Sequence, residues 1–293
     1  MKKSNFWLAF IVLASYQTSV LGENISNPIP PEKMEFPQIT DTDRYMEEGP
    51  CGEVVINRKD GPKEAFTTFV PKNIQDNGYL HPVITWGNGT GGNPMDYAGL
   101  LSHLASHCFV VIASNSSNTG TGRQMIDGAL WMQTDGPDIF GDGLRADLIA
   151  ASGHSQGGGG SLNTAASDEL TIKALVPMMP DCRYTSRCRG LSKITAPTFV
   201  YTGSLDTIVA DWAVNSGVVQ NLKSVDYLFY ATHLGRGHMD PVGSSAPDSA
   251  IEFVAFYRAV LMGDQQAKQL FTGTTCKLCD QSGWRVRNSF EPL

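Results

Sequence analysis

The residues best suited to chemistry by type and spacing are those at 153–157, which read Gly-His-Ser-Gln-Gly and are followed by three more glycines. An apolar run at 148–151 predicts a strand before them, and residues 156–166 predict a helix after them. A serine at such a turn is strained, so the positions two before and two after it must be small. The following helix N-terminus can stabilise an oxyanion. The pattern therefore predicts that Ser155 is the nucleophile of an acyl-transfer reaction.

A nucleophilic serine needs a base, and the base needs a group that orients it. Where a strand–turn–helix carries the serine, the acid and then the histidine follow it along the chain. Of the six histidines, only His233 and His238 come after Ser155. We predict His238 as the base, because it lies in a Gly-Arg-Gly-His loop after a predicted strand, and His233 is the alternative.

The acid and the oxyanion donors are expected in loops that follow predicted strands. Asp206 follows the strand predicted at 198–202 and is predicted to orient the histidine, with a helix N-cap as its alternative role. Asp211, on the next predicted helix, is expected to face solvent. The oxyanion donors are predicted to be the backbone N–H of Gln156 and that of Asn88 or Gly89, in the glycine-rich loop after the strand at 82–86.

Strands and helices alternate along most of the chain, which predicts a parallel sheet covered on both faces, with no inserted lid domain. We place this catalytic domain at residues 46–263. The strands are predicted at 66–70, 82–86, 109–113, 148–151, 174–178, 198–202 and 227–231, and no strand is expected after 231. The helices are predicted at 96–107, 124–132, 156–166, 208–222 and 246–262.

The N-terminus has the order of a secretory signal peptide. Lys2 and Lys3 precede an apolar run at 6–14, and a small residue, Gly22, follows. A membrane anchor is the alternative, but the run is too short to span a bilayer. We therefore expect cleavage near Gly22, a secreted or periplasmic protein, and an extended leader at 23–45.

Composition excludes several classes of protein. With 41% hydrophobic and 17% charged residues, the 293-residue chain has enough apolar content to fold over most of its length. A net charge of -7 argues against a nucleic-acid partner, because no basic surplus exists to neutralise phosphates. No run of 18 or more apolar residues is present, so stable membrane insertion is not expected.

Six cysteines in an exported chain predict disulfides. The sequence does not choose among the 15 connectivities that six cysteines allow. The short spacing of Cys182 and Cys188 makes that pair our best single prediction. Cys276 and Cys279 lie in a C-terminal extension, residues 264–293, and a zinc site formed by these four cysteines is the alternative.

The sequence resembles the α/β-hydrolase family that includes bacterial cutinases, polyester hydrolases of the PET hydrolase type and chlorophyllase-like esterases. The resemblance spans roughly residues 82–262. It rests on the stretches 153–160 and 102–112 and on the positions of Asp206 and His238. It implies a doubly wound, mostly parallel sheet and a serine esterase that forms an acyl-enzyme with no metal or organic cofactor. The implied substrate is a small or polymeric ester, and we expect a monomer.

The chain departs from that family at the cleft. Asn88 stands where polyester hydrolases carry an aromatic residue, and residues 179–182 read Met-Pro-Asp-Cys, without the family's tryptophan. Because these aromatic residues are missing, we expect a more polar cleft rim, formed by Asp181, Arg183, Arg187 and Arg189.

The alternative function is that of a non-catalytic relative used for binding, or of a serine peptidase or thioesterase with the same triad.

Overall fold

The computed structural model describes residues 31–272 and 276–289. The predicted signal peptide at 1–22 and the first part of the leader lie outside these residues. None of the helices in the described residues is both long and apolar enough to cross a membrane.

Nine strands form one twisted sheet in the order β1-β2-β4-β3-β5-β6-β7-β8-β9. The six central strands, β4, β3, β5, β6, β7 and β8, are parallel to their neighbours. At the two edges, β1 and β2 on one side and β9 on the other pair antiparallel. This confirms the predicted mostly parallel sheet. The strands are β1 Val54–Asp60, β2 Phe66–Pro71, β3 His81–Gly87, β4 Val110–Ser114, β5 Leu144–His154, β6 Ala174–Met178, β7 Thr198–Gly203, β8 Leu228–His233 and β9 Trp284–Ser289.

Helices cover both faces of the sheet, because the central strands are apolar on both sides. In β4, Val111 belongs to one hydrophobic cluster and Ile112 to the other, as the two-residue period of a strand requires. Helices α1 and α6 pack in the first cluster, and α2 and α4 contribute to the second. The helices are α1 Ala98–Ser106, α2 Arg123–Thr134, α3 Gly136–Phe140, α4 Gln156–Ala165, α5 Asp211–Gly217, α6 Ala250–Leu261 and α7 Gln265–Lys268.

Two predictions about the elements are wrong. The helix predicted at 208–222 is only α5, followed by a single 3₁₀ turn at Val219–Asn221. The strand at 227–231 is not the last one, because β9 pairs with β8. In β9, Trp284 is buried while Arg285 and Arg287 are exposed, so one face of the strand packs on the core and the other faces solvent. This part of the predicted C-terminal extension therefore joins the sheet.

The end of the predicted leader is not simply extended. Residues Thr42–Met46 form a 3₁₀ helix, and Tyr45 is completely buried. The Tyr45 hydroxyl donates to Asp264 at 3.2 Å, and Asp264 also accepts from the buried Arg258 at 2.8 Å. Arg258 donates in turn to the carbonyl of Pro37. This buried ionic network fastens the leader to α6.

All six cysteines are paired. The predicted disulfide Cys182–Cys188 is confirmed, and the two others are Cys51–Cys108 and Cys276–Cys279. The alternative of a zinc site is wrong, because its four cysteines are joined to each other in two disulfides.

Candidate active site

Ser155 occupies a strained turn between β5 and α4. Its φ of 54° and ψ of -117° place a non-glycine residue where few are found. A Cβ atom on Gly153 would lie 2.4 Å from the carbonyl oxygen of Gly157, and one on Gly157 would lie 2.0 Å from that of Gly87. Neither clash can be relieved without moving backbone. The glycines flanking the serine are therefore a steric requirement of this turn.

The turn brings Ser155 against a histidine and an aspartate. His238 Nε2 lies 2.9 Å from Ser155 Oγ, and His238 Nδ1 lies 2.7 Å from Asp206 Oδ2. Asp206 follows β7 and His238 follows β8, so both lie at the carboxyl edge of the parallel strands, as Ser155 does. All three side chains are largely buried, yet Ser155 and His238 line an open cleft. With Nδ1–H donating to the carboxylate, Nε2 can accept the serine proton.

Asp206 uses its two carboxylate oxygens separately. While Oδ2 accepts from His238, Oδ1 accepts from the backbone N–H groups of Ile208 and Val209, at 2.9 and 2.8 Å. Asp206 is not a helix N-cap, because the N-cap of α5 is Ala210; its carboxylate instead stabilises the turn that precedes this helix.

His233 lies elsewhere. Its ring stacks on Trp284 of β9, with 4.3 Å between ring centroids, and burial lowers the pKa of His233 below its ordinary value. The structure therefore brings His238, and not His233, to the serine.

Asp211 does not face solvent as expected. It forms an ion pair with Arg287 and accepts hydrogen bonds from the hydroxyls of Thr202, Tyr230 and Thr232. Burial alone would raise the pKa of this carboxyl, but the hydrogen bonds outweigh it and hold the pKa well below its usual range. Asp211 thus joins β7, β8 and β9.

Gln156 begins α4, so its backbone N–H belongs to the first turn of the helix, where such groups have no intrahelical partner. Its side chain is fixed, because Oε1 accepts from the N–H of Thr119 at 3.0 Å. Its carbonyl accepts from the Ser186 hydroxyl at 2.8 Å. Hydrogen bonds therefore fix both the side chain and the backbone carbonyl of Gln156, the residue that follows the nucleophile.

The two candidates for the second donor have different surroundings. The backbone N–H of Gly89 already donates to the hydroxyl of Tyr97, at 2.9 Å. The buried side chain of Asn88 donates instead to the carbonyls of Ser114 and Ser116, at 2.6 and 3.1 Å, and so anchors the glycine-rich loop. The side chain of Asn88 thus points away from the cleft.

A hydrogen-bonded chain connects this loop to the histidine. Tyr97 accepts from Gly89 and lies 3.0 Å from His154 Nδ1, while His154 Nε2 lies 2.7 Å from the carbonyl oxygen of His238. Burial, with the nearby His238 ring, lowers the pKa of His154 to about 3, so this imidazole is neutral. Tyr97 then donates to Nδ1, and Nε2–H donates to His238. Tyr97 falls within the helix predicted at 96–107, and the sequence gives no sign of this contact.

The cleft above Ser155 has a volume of about 660 Å³. Its rim is less polar than expected. Asp181 turns its carboxylate into its own loop, where the N–H groups of three following residues and a hydroxyl donate to it. Arg187 and Arg189 line a separate groove. The large exposed side chains at the rim are instead Tyr184, Ile208 and Met239, beside the smaller Thr90 and Thr185.

A doubly wound sheet with a serine on a strained strand-to-helix turn defines the α/β-hydrolase fold. A family model described as "PETase: PET hydrolase-like" matches residues 83–280, which is more than half of the chain. The chain therefore belongs to the PET hydrolase-like family, which confirms the resemblance seen in the sequence.

Curated relatives carry cutinase names. The chain is 34% identical to Cutinase est1 of Thermobifida alba over 125 residues, 41% of this chain and 40% of that protein. It is 32% identical to Cutinase est2 of the same organism over 158 residues, covering 52% and 51%, and 30% identical to Cutinase 2 of Thermobifida cellulosilytica, covering 41% and 46%. The chain thus spans about half the length of the curated relatives it matches.

Proposed function

We propose that the protein is an exported serine esterase of the cutinase or polyester-hydrolase type. The observation that carries this proposal is the hydrogen-bonded series from Ser155 through His238 to Asp206 at the floor of an open cleft. Membership of the PET hydrolase-like family and the cutinase names of the relatives support an ester as the bond that is cleaved.

In the first half of the reaction, Ser155 Oγ attacks the ester carbonyl carbon while its proton passes to His238 Nε2. Asp206 stabilises the imidazolium that forms, because its Oδ2 accepts from Nδ1–H. The tetrahedral intermediate then collapses. Nε2–H gives its proton to the leaving alcohol, and an acyl-enzyme remains on Ser155.

The negative charge of the tetrahedral intermediate is assigned to two backbone donors. One is the N–H of Gln156, at the N-terminus of α4. The other is the N–H of Asn88 or that of Gly89. Gly89 lines the cleft although its N–H donates to Tyr97, while Asn88 is completely buried.

In the second half, water takes the place of the alcohol. His238 removes a proton from the water, which attacks the acyl carbon, and the serine leaves with that proton. The acid product is released and the resting arrangement returns. These steps use the side chains and backbone of this chain alone.

Export is part of the proposal. The order of residues 1–22 is that of a cleavable signal peptide. Three disulfides suit an oxidising compartment. We assign the catalytic domain to residues 46–263, preceded by a leader at 23–45, and β9 of the extension at 264–293 completes its sheet.

Replacing the nucleophile tests the proposal. Ser155→Ala is expected to lower kcat on p-nitrophenyl butyrate by roughly 10⁴–10⁶ with the fold intact. The exposed Ser192→Ala is the control and should stay within about twofold of wild type. Hydrolysis by Ser155→Ala at a near wild-type rate, or failure of the wild type to react with a fluorophosphonate probe, would contradict the proposal.

A further inference from the structure

The loop between β4 and α2 packs against both segments that supply the proposed oxyanion donors. Thr119 lies in this loop and is completely buried. It contacts Gln156, the first residue of α4, and Asn88, in the glycine-rich loop after β3. Because the proposed reaction uses one backbone N–H from each segment, the distance between the segments decides whether both groups can bind one oxygen atom.

Thr119 makes one hydrogen bond to each segment. Its backbone N–H donates to Oε1 of Gln156 at 3.0 Å, and its hydroxyl donates to the carbonyl oxygen of Asn88 at 2.8 Å. Its own carbonyl accepts from the N–H of Gly122, the N-cap of α2, at 3.0 Å. Thr119 is therefore fixed in its own loop and bridges two segments that are far apart in the sequence.

The peptide group between Asn88 and Gly89 is held at both ends. Its carbonyl oxygen accepts from the Thr119 hydroxyl, and its N–H, which is that of Gly89, donates to the hydroxyl of Tyr97 at 2.9 Å. A peptide group is planar, so these two bonds fix its orientation. The N–H of Asn88 belongs to the peptide group just before it. The bond from Thr119 thus constrains the backbone beside both candidate donors.

The backbone of α4 lies directly against both loops. A Cβ atom on Gly157 would lie 2.0 Å from the carbonyl oxygen of Gly87 and 2.6 Å from that of Asn88. A Cβ atom on Gly160 would lie 2.2 Å from the carbonyl oxygen of Thr119. No side chain separates the segments at these contacts, so the two hydrogen bonds of Thr119 hold backbone against backbone.

Building on the esterase function proposed above, we propose that Thr119 is a positioning residue that sets the distance between the two oxyanion donors. The ester oxygen gains its charge only as Ser155 adds to the carbonyl carbon, and donors that are already in place stabilise this charge best. Because Thr119 is completely buried, it acts on the substrate through Gln156 and Asn88 alone. Its loss should therefore weaken binding of the transition state and spare binding of the substrate.

Thr119→Val removes the hydroxyl and keeps the shape of the side chain. We expect kcat on p-nitrophenyl butyrate to fall by roughly 10–50-fold, with KM within about threefold of wild type. Butyl trifluoromethyl ketone reports on the same donors, because Ser155 adds to its carbonyl carbon and leaves an oxyanion. Its inhibition constant should rise by about the factor that kcat loses. Thr119→Ser keeps the hydroxyl and should bring both values within about threefold of wild type.

A second variant breaks the other bond of the bridge. Gln156→Met removes the side-chain acceptor and keeps the backbone N–H, so kcat should fall by roughly 5–20-fold with KM nearly unchanged. Since either variant alone opens the same bridge, the double variant should lose at most about threefold more than the weaker single one. Losses that multiply in the double variant would overturn the bridge. Gln156→Met also decides the question if Thr119→Val does not fold, because an unchanged kcat would overturn the proposal.

The matched control is Thr198→Val at the start of β7. Thr198 is also completely buried, and its hydroxyl donates to the carbonyl of Ala196 at 2.8 Å. This variant should lower the melting temperature and leave kcat and the inhibition constant within about twofold of wild type. Values for Thr119→Val that matched those of Thr198→Val would overturn the positioning role. A wild type that does not hydrolyse the butyrate would instead overturn the esterase function, and this proposal with it.

Discussion

At the scale of single residues, Asp206 shows how the site joins structure to chemistry. One carboxylate oxygen accepts two backbone N–H groups and the other accepts from His238. The turn thus fixes the carboxylate before the imidazole meets it. Because the carboxylate accepts from Nδ1–H, the lone pair of the imidazole is placed on Nε2, opposite Ser155.

One substitution at Asp206 is expected to move the proton of the neutral His238 imidazole from Nδ1 to Nε2. In Asp206→Asn, the amide oxygen can keep the two backbone hydrogen bonds, and the amide NH₂ then faces His238 Nδ1. The proton of the neutral imidazole moves to Nε2, which cannot accept from Ser155. We expect kcat on p-nitrophenyl butyrate to fall by roughly 10⁴ while the melting temperature changes little.

Asp211→Asn is the control, because Asp211 is a half-buried, hydrogen-bonded acid that has no contact with His238. It should lower the melting temperature, through loss of the ion pair with Arg287, and leave kcat within a few-fold of wild type. If the two variants lost activity equally, Asp206 would not have the orienting role.

At the scale of elements, the hydrogen-bonded chain through Tyr97 and His154 connects parts that are far apart in sequence. It runs from the loop after β3, through the turn before α1 and the end of β5, to the loop after β8. Tyr97 and His154 thus link the loop of the proposed second oxyanion donor to the loop of the proposed base. Tyr97 is therefore a positioning residue.

Tyr97→Phe keeps the ring and removes the hydroxyl, leaving the N–H of Gly89 and Nδ1 of His154 without this partner. We expect kcat on p-nitrophenyl butyrate to fall by roughly 10–100-fold, with KM changed by less than about threefold. The pH dependence of kcat/KM should also shift, because His154, whose Nε2–H donates to the carbonyl of His238, loses the hydroxyl that fixes its tautomer.

Tyr227→Phe provides the comparison, because it removes another buried, hydrogen-bonded hydroxyl. The Tyr227 hydroxyl donates to the carbonyl of Phe271 at 2.7 Å, away from the catalytic cleft. It should lower stability by about 1 kcal/mol and leave kcat unchanged. A similar kcat for Tyr97→Phe and Tyr227→Phe would show that the Tyr97 hydroxyl serves stability alone.

The sequence predicts the elements and residues that are defined by local pattern. The central strands are continuous apolar runs, so all seven predicted strands are present. By contrast, β1 and β9 are edge strands with half-exposed patterns, and β9 pairs with β8, a strand that lies about fifty residues earlier in the chain. Tyr97 escapes detection for the same reason, since only the folded sheet brings it to His154, 57 positions away. The exposed rim side chains Tyr184, Ile208 and Met239 likewise have no local signature.

At the scale of the whole molecule, buried titratable groups make stability depend on pH in opposite directions. Burial lowers the pKa of His81 to about 4 and that of His107 to about 3. Below the ordinary histidine pKa the unfolded chain binds these protons while the folded chain does not, so stability falls as pH falls through this range. Glu252 acts in the other direction, because burial raises its pKa to about 7.

Glu252 is 5% exposed, and its Oε2 has no partner among the described residues. Its charge is disfavoured by burial first and by Asp240 and Asp248 nearby. The unfolded chain loses this proton near pH 4.5 and the folded chain near pH 7, so stability is lost as pH rises through that window. Glu252→Gln is therefore expected to be more stable than wild type above pH 7, by up to about 3 kcal/mol.

Urea unfolding followed by circular dichroism from about pH 4 to pH 8.5 measures this difference. The two curves should converge toward pH 4, below the unfolded pKa of 4.5, where the wild-type glutamate becomes mainly protonated in both states, and separate progressively up to pH 7. Glu48→Gln, which removes an exposed carboxylate, should follow wild type throughout. A gap between Glu252→Gln and wild type that stayed constant with pH would mean that packing, and not the buried charge, separates them.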